Sequence, residues 1–306
     1  MIEVLKTVAE LRAILASRKC DGETVGLVPT MGALHEGHLS LIRRSVGENA
    51  CTVVSIFVNP TQFGPGEDLD KYPRQFAADL ELCDTEKADV VFAPTPEEMY
   101  PRGFGTFVEV EGLGQVLCGA SRPTHFRGVM TVCAKLFGIV QPDRAYFGEK
   151  DYQQLIIIRR MVADLNMPVK VIGCPIVRES SGLALSSRNS YLTEDERKQA
   201  PVLHHALLEA KRLVEAEGVT DASDITTAMT EMIASAPAAK IDYVAVVDAE
   251  SLEPLEAVTG KARALVAVYF GKARLIDNMD ITGKGVKSYA ETDAARQDTP
   301  RDDQTD

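Results

Sequence analysis

The chain has 306 residues, of which 45% are hydrophobic and 25% charged, and its formal net charge is -12. That composition suits an ordinary globular protein with a sizeable core, and at roughly 150 residues per domain the length predicts two domains. The acidic balance argues against a general binder of nucleic acid or anionic membrane, while local basic residues can still hold a small anion.

The N-terminal stretch "MIEVLKTVAELRAILASRK" reads as an amphipathic helix with charges throughout and no apolar h-region. No segment approaches the roughly 18 apolar residues of a membrane span, so a cytoplasmic protein without membrane contact is expected. From Thr24 to about Pro175, strand-like and helix-like runs alternate. Strands are predicted at Thr24–Val28, Cys51–Val58, Asp89–Ala93, Thr106–Glu111, Arg144–Phe147 and Val169–Cys174. Helical patterns lie between most of them, in "GHLSLIRRSVG", "RQFAADLELCDTEK", "MTVCAKLFGIV" and "DYQQLIIIRRMVADLN". Such alternation predicts an α/β fold with a parallel sheet and crossover helices, whose ligands bind past the carboxyl ends of the strands at a switch point.

After Val177 the pattern changes. "TEDERKQAPVLHHALLEAKRLVEAEG" and "ASDITTAMTEMIASA" are helical, and "KIDYVAVVDAESLEPL", "ARALVAVYF" and "ARLIDNMDI" read as a small antiparallel sheet, so a second, smaller α+β domain is expected. From about Lys284 to Asp306 the chain is polar, and disorder is expected there because little apolar surface is available to offset ordering. The cysteines at 20, 51, 83, 118, 133 and 174 form no C-x-x-C pair and read as reduced core residues.

Four strand-to-helix junctions or polar loops carry residues suited to chemistry. In "VPTMGALHEGHLSLIRRS" (28–45), His35 and His38 stand one helical turn apart with Gly37 between them. A helix start offers unpaired N–H groups and partial positive charge, which suits a phosphate, and Gly37 permits close approach to the backbone. Two ordinary surface histidines are the plain alternative. A zinc site is weaker still, since no third ligand stands at usable spacing. "SIFVNPTQFGPGEDLDKYPR" (55–74) places the amides of Asn59 and Gln62 just past a strand, where they suit a hydroxy acid or serve only as turn formers. "RAYFGEKDYQQL" (144–155) offers Lys150, Asp151 and Gln154 at a helix start. "GLALSSRN" (182–189) adds Ser186, Ser187 and Arg188, a phosphate clamp or a plain serine-rich loop.

In this order, "PTMGALHEGH", "SIFVNPTQF", "FGEKDYQQL" and "SSRN" resemble the motifs of the pantoate–β-alanine ligase family, as do "HFRGV" (125–129), "EMYP" (98–101) and "RLIDN" (274–278). The similarity covers roughly Met1 to Gly283. It implies a Rossmann-like parallel sheet with helices on both faces, akin to the HIGH-motif nucleotidyltransferases, plus a smaller C-terminal α+β domain. The implied division is 1–176 for the ATP- and pantoate-binding domain, 177–283 for a domain closing over the site, and 284–306 for an acidic tail. The implied reaction joins pantoate to β-alanine with ATP through a pantoyl adenylate, releasing pyrophosphate and then AMP.

Carried over by position, Met31, Gly32, Ala33, Leu34, His35, Glu36, Gly37 and His38 would line the ATP site, with His38 as proton donor. Gly148, Glu149, Lys150, Asp151, Val177, Leu185, Ser186, Ser187 and Arg188 would complete it. His35, Lys150 and Arg188 join His38 in stabilising charge on the phosphoryl group. Gln62 and Gln154, with Asn59, would hold pantoate, and Gln62 would also approach β-alanine. ATP enters as a substrate with Mg2+ bound mainly through its phosphates, no protein metal site is expected, and the resemblance implies a homodimer. Cys118, Thr124 and Ser181 stand where the family commonly has Glu, Gly and Asp. A plain nucleotidyltransferase would need a second phosphate site, where the pantoate-side loop offers amides. A nucleotide sensor or RNA-binding module would need neither Gln62 nor Gln154, and the net charge disfavours RNA.

Overall fold

Short runs that are apolar along their whole length make strands buried on both faces. In this computed structural model, which describes residues 2–283, six of them form one parallel sheet. In chain order the first elements are β1 (Glu3–Leu5), α1 (Val8–Cys20), β2 (Val25–Thr30), α2 (Glu36–Glu48), β3 (Cys51–Ile56), α3 (Phe76–Thr85) and β4 (Val90–Phe92). Then come α4 (Pro96–Met99), α5 (Cys118–Ser121), α6 (His125–Val140), β5 (Arg144–Gly148), α7 (Tyr152–Asp164) and β6 (Lys170–Cys174). The sheet order is β1-β4-β3-β2-β5-β6, with every neighbouring pair parallel. The chain builds outward from β2 to β3 and β4, then returns to lay β5 on the other side of β2. The switch point therefore falls between β2 and β5.

Alternate residues of the strands face opposite helices. On one face, Val28, Val54, Val91, Tyr146 and Ile172 pack with Leu39 and Ile42 of α2 and Cys83 of α3. α6 packs against β2 and α1, completing the Rossmann-like arrangement. All six cysteines are free thiols, and only Cys20 is exposed.

Three local expectations are corrected. The N-terminus is not helical from its start: Glu3–Leu5 pairs with Val90–Phe92, and the helix begins at Val8 because Thr7 and Glu10 form a capping box. The run 106–111 forms no strand. β1 takes the sheet edge beside β4, and the Val108 N–H donates to Thr131 Oγ1 instead of to a ladder. The helix around 130–140 starts earlier, at His125.

By connectivity the chain divides into two compact units. One runs through Arg178 and takes in Leu185–Ser187; the other comprises Glu179–Ala184 and the chain from Arg188. The second unit holds α8 (Glu194–Gln199), α9 (Val202–Arg212), α10 (Ala222–Ala234) and strands β7 (Ala239–Asp248), β8 (Ala262–Phe270) and β9 (Ala273–Asp280). The single helical pattern read over 193–218 is broken at Pro201, which has no N–H to continue the ladder. The strands form an antiparallel sheet in the order β7-β8-β9, and Leu203, Leu207, Ile225, Met229 and Ile233 pack with Val246, Val266 and Val268. The tail expected to be disordered, 284–306, lies outside the described residues.

Candidate active site

The crevice at the switch point is built first by the end of β2. Thr30 Oγ1 donates to the Ser55 carbonyl at 2.7 Å and accepts from the Gly32 N–H at 3.2 Å, which ties the ends of β2 and β3. The chain then reverses through two left-handed residues, Gly32 (φ +81°) and Ala33 (φ +51°). The carboxylate of Asp79, on α3, receives both following N–H groups: Ala33 N at 2.9 Å and Leu34 N at 2.8 Å. A Cβ at position 32 would stand 2.9 Å from Asp79 Oδ2, so glycine suits both the turn and the contact.

His35 is the N-cap of α2. Its Nδ1 accepts from the Gly37 N–H at 3.2 Å, while His38 Nδ1 accepts from the His35 N–H at 3.4 Å. A ring nitrogen that accepts carries no proton, so the bonding pattern assigns both neutral rings as Nε2–H tautomers. The ring centroids are 4.1 Å apart. Each ring keeps some contact with solvent while protein crowds it on most sides. Burial, and then the nearby positive charge of Lys150, pushes His35 below the usual imidazole range. Burial, His35 and Lys150 push His38 down to about 3. The crevice therefore presents two uncharged N–H donors.

This differs from the expectation of free backbone donors for a phosphate. The N–H groups of Gly32, Ala33, Leu34, His35 and Gly37 are all bound within the protein. Gly37 has a different task as well: a Cβ there would meet His35 Cε1 at 2.9 Å, so the glycine makes room for the capping ring.

β5 brings the second set of groups. The turn Glu149–Asp151 places Lys150, largely buried, and Asp151, half exposed, so that both act electrostatically on His35 and His38. Near the start of α7, Gln154 is half-buried. Its neighbour Gln153 is fully engaged, donating to the Leu113 and Val116 carbonyls and accepting from the Cys118 N–H.

β3 brings the third. Asn59 is 1% exposed and saturated. Its Nδ2 donates to Gln62 Oε1 (3.0 Å) and the Gly128 carbonyl (3.1 Å), and its Oδ1 accepts from the Tyr100 hydroxyl (2.7 Å), Thr61 Oγ1 and the Thr61 N–H. With its oxygen held, Gln62 turns its Nε2 to Met31 Sδ at 3.0 Å, beside the β2 turn. The Gln62 carbonyl pairs with His125 Nδ1 at 2.9 Å and also receives Arg122, whose guanidinium grips Glu67. Only a protonated Nδ1 can donate to a carbonyl, so His125 is Nδ1–H. Burial and Arg122 push its basicity down to about 4. At Gly128 a Cβ would fall 2.3 Å from the Thr61 carbonyl oxygen, so glycine lets α6 press on this turn.

Of the final loop, Val177 accepts from the Leu185 N–H at 3.0 Å, and Leu185 lies within van der Waals reach of a Cβ at Gly37. Ser187 Oγ lies 3.4 Å from the Tyr72 hydroxyl. Met31–His38, Gln62, Lys150, Asp151 and Leu185 thus adjoin one another within the first unit. Arg188 belongs to the second unit, where its neighbour Asn189 donates to Glu179 and to the Ala184 carbonyl, and Arg197 grips the same Glu179. Asp79, Tyr72, Tyr100, Arg122 and Gln153 were not singled out in the sequence. For Asp79 a signal existed: it shares a buried helix face with Cys83, four residues on. Among the described residues no three His, Cys, Asp or Glu side chains cluster to hold a metal ion, and no helix is long and apolar enough to cross a membrane.

A parallel sheet with this order, with polar and basic side chains gathered past its strand ends at the switch point, defines a Rossmann-like α/β protein. The chain matches the family profile described as Pantoate-beta-alanine ligase over residues 3–280. It is 54% identical over 278 residues to a pantothenate synthetase of Moorella thermoacetica, covering 91% of this chain and 98% of that one. It is equally 54% identical to the pantothenate synthetase of Acetivibrio thermocellus, covering 91% and 99%. Among solved structures, the pantothenate synthetase of Thermus thermophilus superposes with a TM-score of 0.87 at 51% identity, covering 92% of this chain and 100% of that one. The pantoate-beta-alanine ligase of Francisella tularensis, solved in complex with beta-gamma ATP and beta-alanine, gives 0.76 at 35% identity, covering 92% and 98%. This chain belongs to the pantoate–β-alanine ligase family.

Proposed function

We propose that this chain, a carbon–nitrogen ligase, condenses pantoate with β-alanine at the expense of ATP, through a pantoyl adenylate. In the first step a pantoate carboxylate oxygen attacks the α-phosphorus, the bond to the bridging oxygen breaks, and pyrophosphate leaves. In the second, the β-alanine nitrogen attacks the acyl carbon, the carbon–oxygen bond to AMP breaks, and the amine loses a proton. The observation that carries this reading is the meeting of two Nε2–H imidazole donors and Lys150 with the oriented amide of Gln62 at one switch point, in a chain of this family.

Attack on an α-phosphate gathers negative charge, and fixed donors in a crowded crevice stabilise it more than mobile water does. His35 and His38 donate from Nε2. With His38 pushed down to about 3, its ring is neutral near pH 7, and as the proton donor of the site it offers its Nε2–H to the phosphoryl oxygens. Lys150 and Arg188 supply positive charge. Met31 to His38, Gly148 to Asp151, Val177 and Leu185 to Arg188 receive ATP. Gln62 and Gln154 hold pantoate, and Gln62 also meets β-alanine. Asn59 serves by donating to Gln62 Oε1 and so aiming its Nε2. Mg2+ would enter with ATP, mainly on its phosphates, and would supply charge neutralisation there. The residues assigned to pantoate, and all of those assigned to ATP but Arg188, belong to the first unit, and the working form is a cytoplasmic homodimer.

The test is a product assay. With ATP, pantoate and β-alanine, the expected products are AMP, pyrophosphate and pantothenate. Without β-alanine, pyrophosphate should still appear, up to one equivalent per site. ADP and phosphate in their place would establish acyl-phosphate chemistry and overturn the reading.

A further inference from the structure

We propose that Asp79 is a positioning residue for adenylation: by taking the N–H groups of Ala33 and Leu34 it fixes the turn that sets His35 and His38 in place and keeps those backbone donors out of the crevice. The inference rests on the reading above. Asp79 is 1% exposed, and each carboxylate oxygen has its own backbone partner, at 2.9 and 2.8 Å. Gln75 Nε2, from the N-cap of α3, approaches the same carboxylate at 3.4 Å.

The geometry explains why a carboxylate stands so near a site for an anion. Successive N–H groups in a turn with left-handed residues tend to converge and bind anions. Here Gly32 and Ala33 are left-handed, and the anion that the turn captures is the protein's own. What the segment then offers a ligand is the pair of Nε2–H donors of His35 and His38, one and four residues further along. Leu34 is the residue before the N-cap, so fixing its N–H fixes the entry of the chain into α2 and with it the ring that caps the helix. A ring displaced by as little as 1 Å loses much of its effect on a transition state.

Asp79→Asn keeps the volume but sets an amide N–H2 against one of the two backbone N–H groups. Two half-reactions are to be followed: pyrophosphate release from ATP and pantoate, and amide formation from purified pantoyl adenylate and β-alanine. The variant should slow adenylation at least about tenfold in kcat, with the pantoate KM and the amide step within about threefold of wild type. In a background carrying both His35→Ala and His38→Ala the same substitution should cost less than about threefold, because a residue that acts through the two rings then has little left to act on.

Equal slowing of both half-reactions, a full cost in the background lacking both rings, or an unchanged adenylation rate would overturn the proposal. If Asp79→Asn does not fold, Gly32→Ala, which crowds Asp79 Oδ2, should give the same split between the half-reactions, and equal loss in both would overturn it. Absence of pyrophosphate from the wild-type enzyme would instead defeat the adenylate reading itself.

Discussion

His125 offers a direct measure of how the protein holds its imidazoles neutral. Burial first, then the Arg122 guanidinium, pushes its basicity down to about 4, from 6.5 for a free imidazole. Between these values the unfolded chain binds a proton that the folded one refuses. A depressed folded value means that the stability is present above pH 6.5 and is lost as pH falls toward 4. Each pH unit in that window costs about 1.4 kcal/mol, so from pH 7.5 to 5.5 the single ring should lower stability by about 1.4 kcal/mol.

Other groups titrate too, so the comparison is with His125→Asn, whose amide can still donate to the Gln62 carbonyl but takes no proton. Urea unfolding at pH 7.5, 6.5 and 5.5 should show the wild type losing about 1.4 kcal/mol more than the variant over the range. Parallel losses, or a ring titration near 6.5 by NMR, would show that His125 is not held neutral and would refute the argument.

His38→Ala and Lys150→Ala should each slow adenylation by roughly a hundredfold or more in single-turnover pyrophosphate release, with a smaller effect on the amide step. Gln62→Ala should impair both half-reactions, because the same amide is assigned to pantoate in each; a defect confined to one would refute that assignment. Gly128→Ala, with its Cβ 2.3 Å from the Thr61 carbonyl oxygen, should lower stability by about 1–3 kcal/mol in urea unfolding and raise the pantoate KM.

The parallel sheet was legible because its strands are uniformly apolar and its helices amphipathic. "TVGLV" and "CTVVSIFV" need no tertiary information to read as buried strands. The errors came where a partner decides. Thr106–Glu111 has the composition of a strand, yet the place beside β4 goes to Glu3–Leu5 and the Val108 N–H to Thr131. Glu3–Leu5 looks like the start of a helix until β4 is there to pair with it. The histidines, Lys150, Gln62 and Gln154 could be picked out because junctions between strand and helix concentrate them. Asn59 was also picked out, but the sequence could not show that its amide is consumed by Tyr100, Thr61, Gly128 and Gln62. Asp79 and Gln153 escaped because their partners are backbone groups far along the chain, and main-chain N–H and C=O groups leave no mark on a sequence.

The two capped imidazoles also bear on how the crevice empties. A pair of imidazolium ions beside Lys150 would attract any phosphate strongly, including the pyrophosphate that the first step liberates. Rings that stay uncharged, with each Nδ1 committed to a backbone N–H, offer direction without that pull. They favour the brief state in which charge accumulates between nucleophile and leaving group, and they do little to detain a diphosphate once the bond has broken. On the proposed pathway, departure of the inorganic product then need not await a proton or a rearrangement of α2, and the acyl adenylate would keep the crevice to itself until the amine arrives.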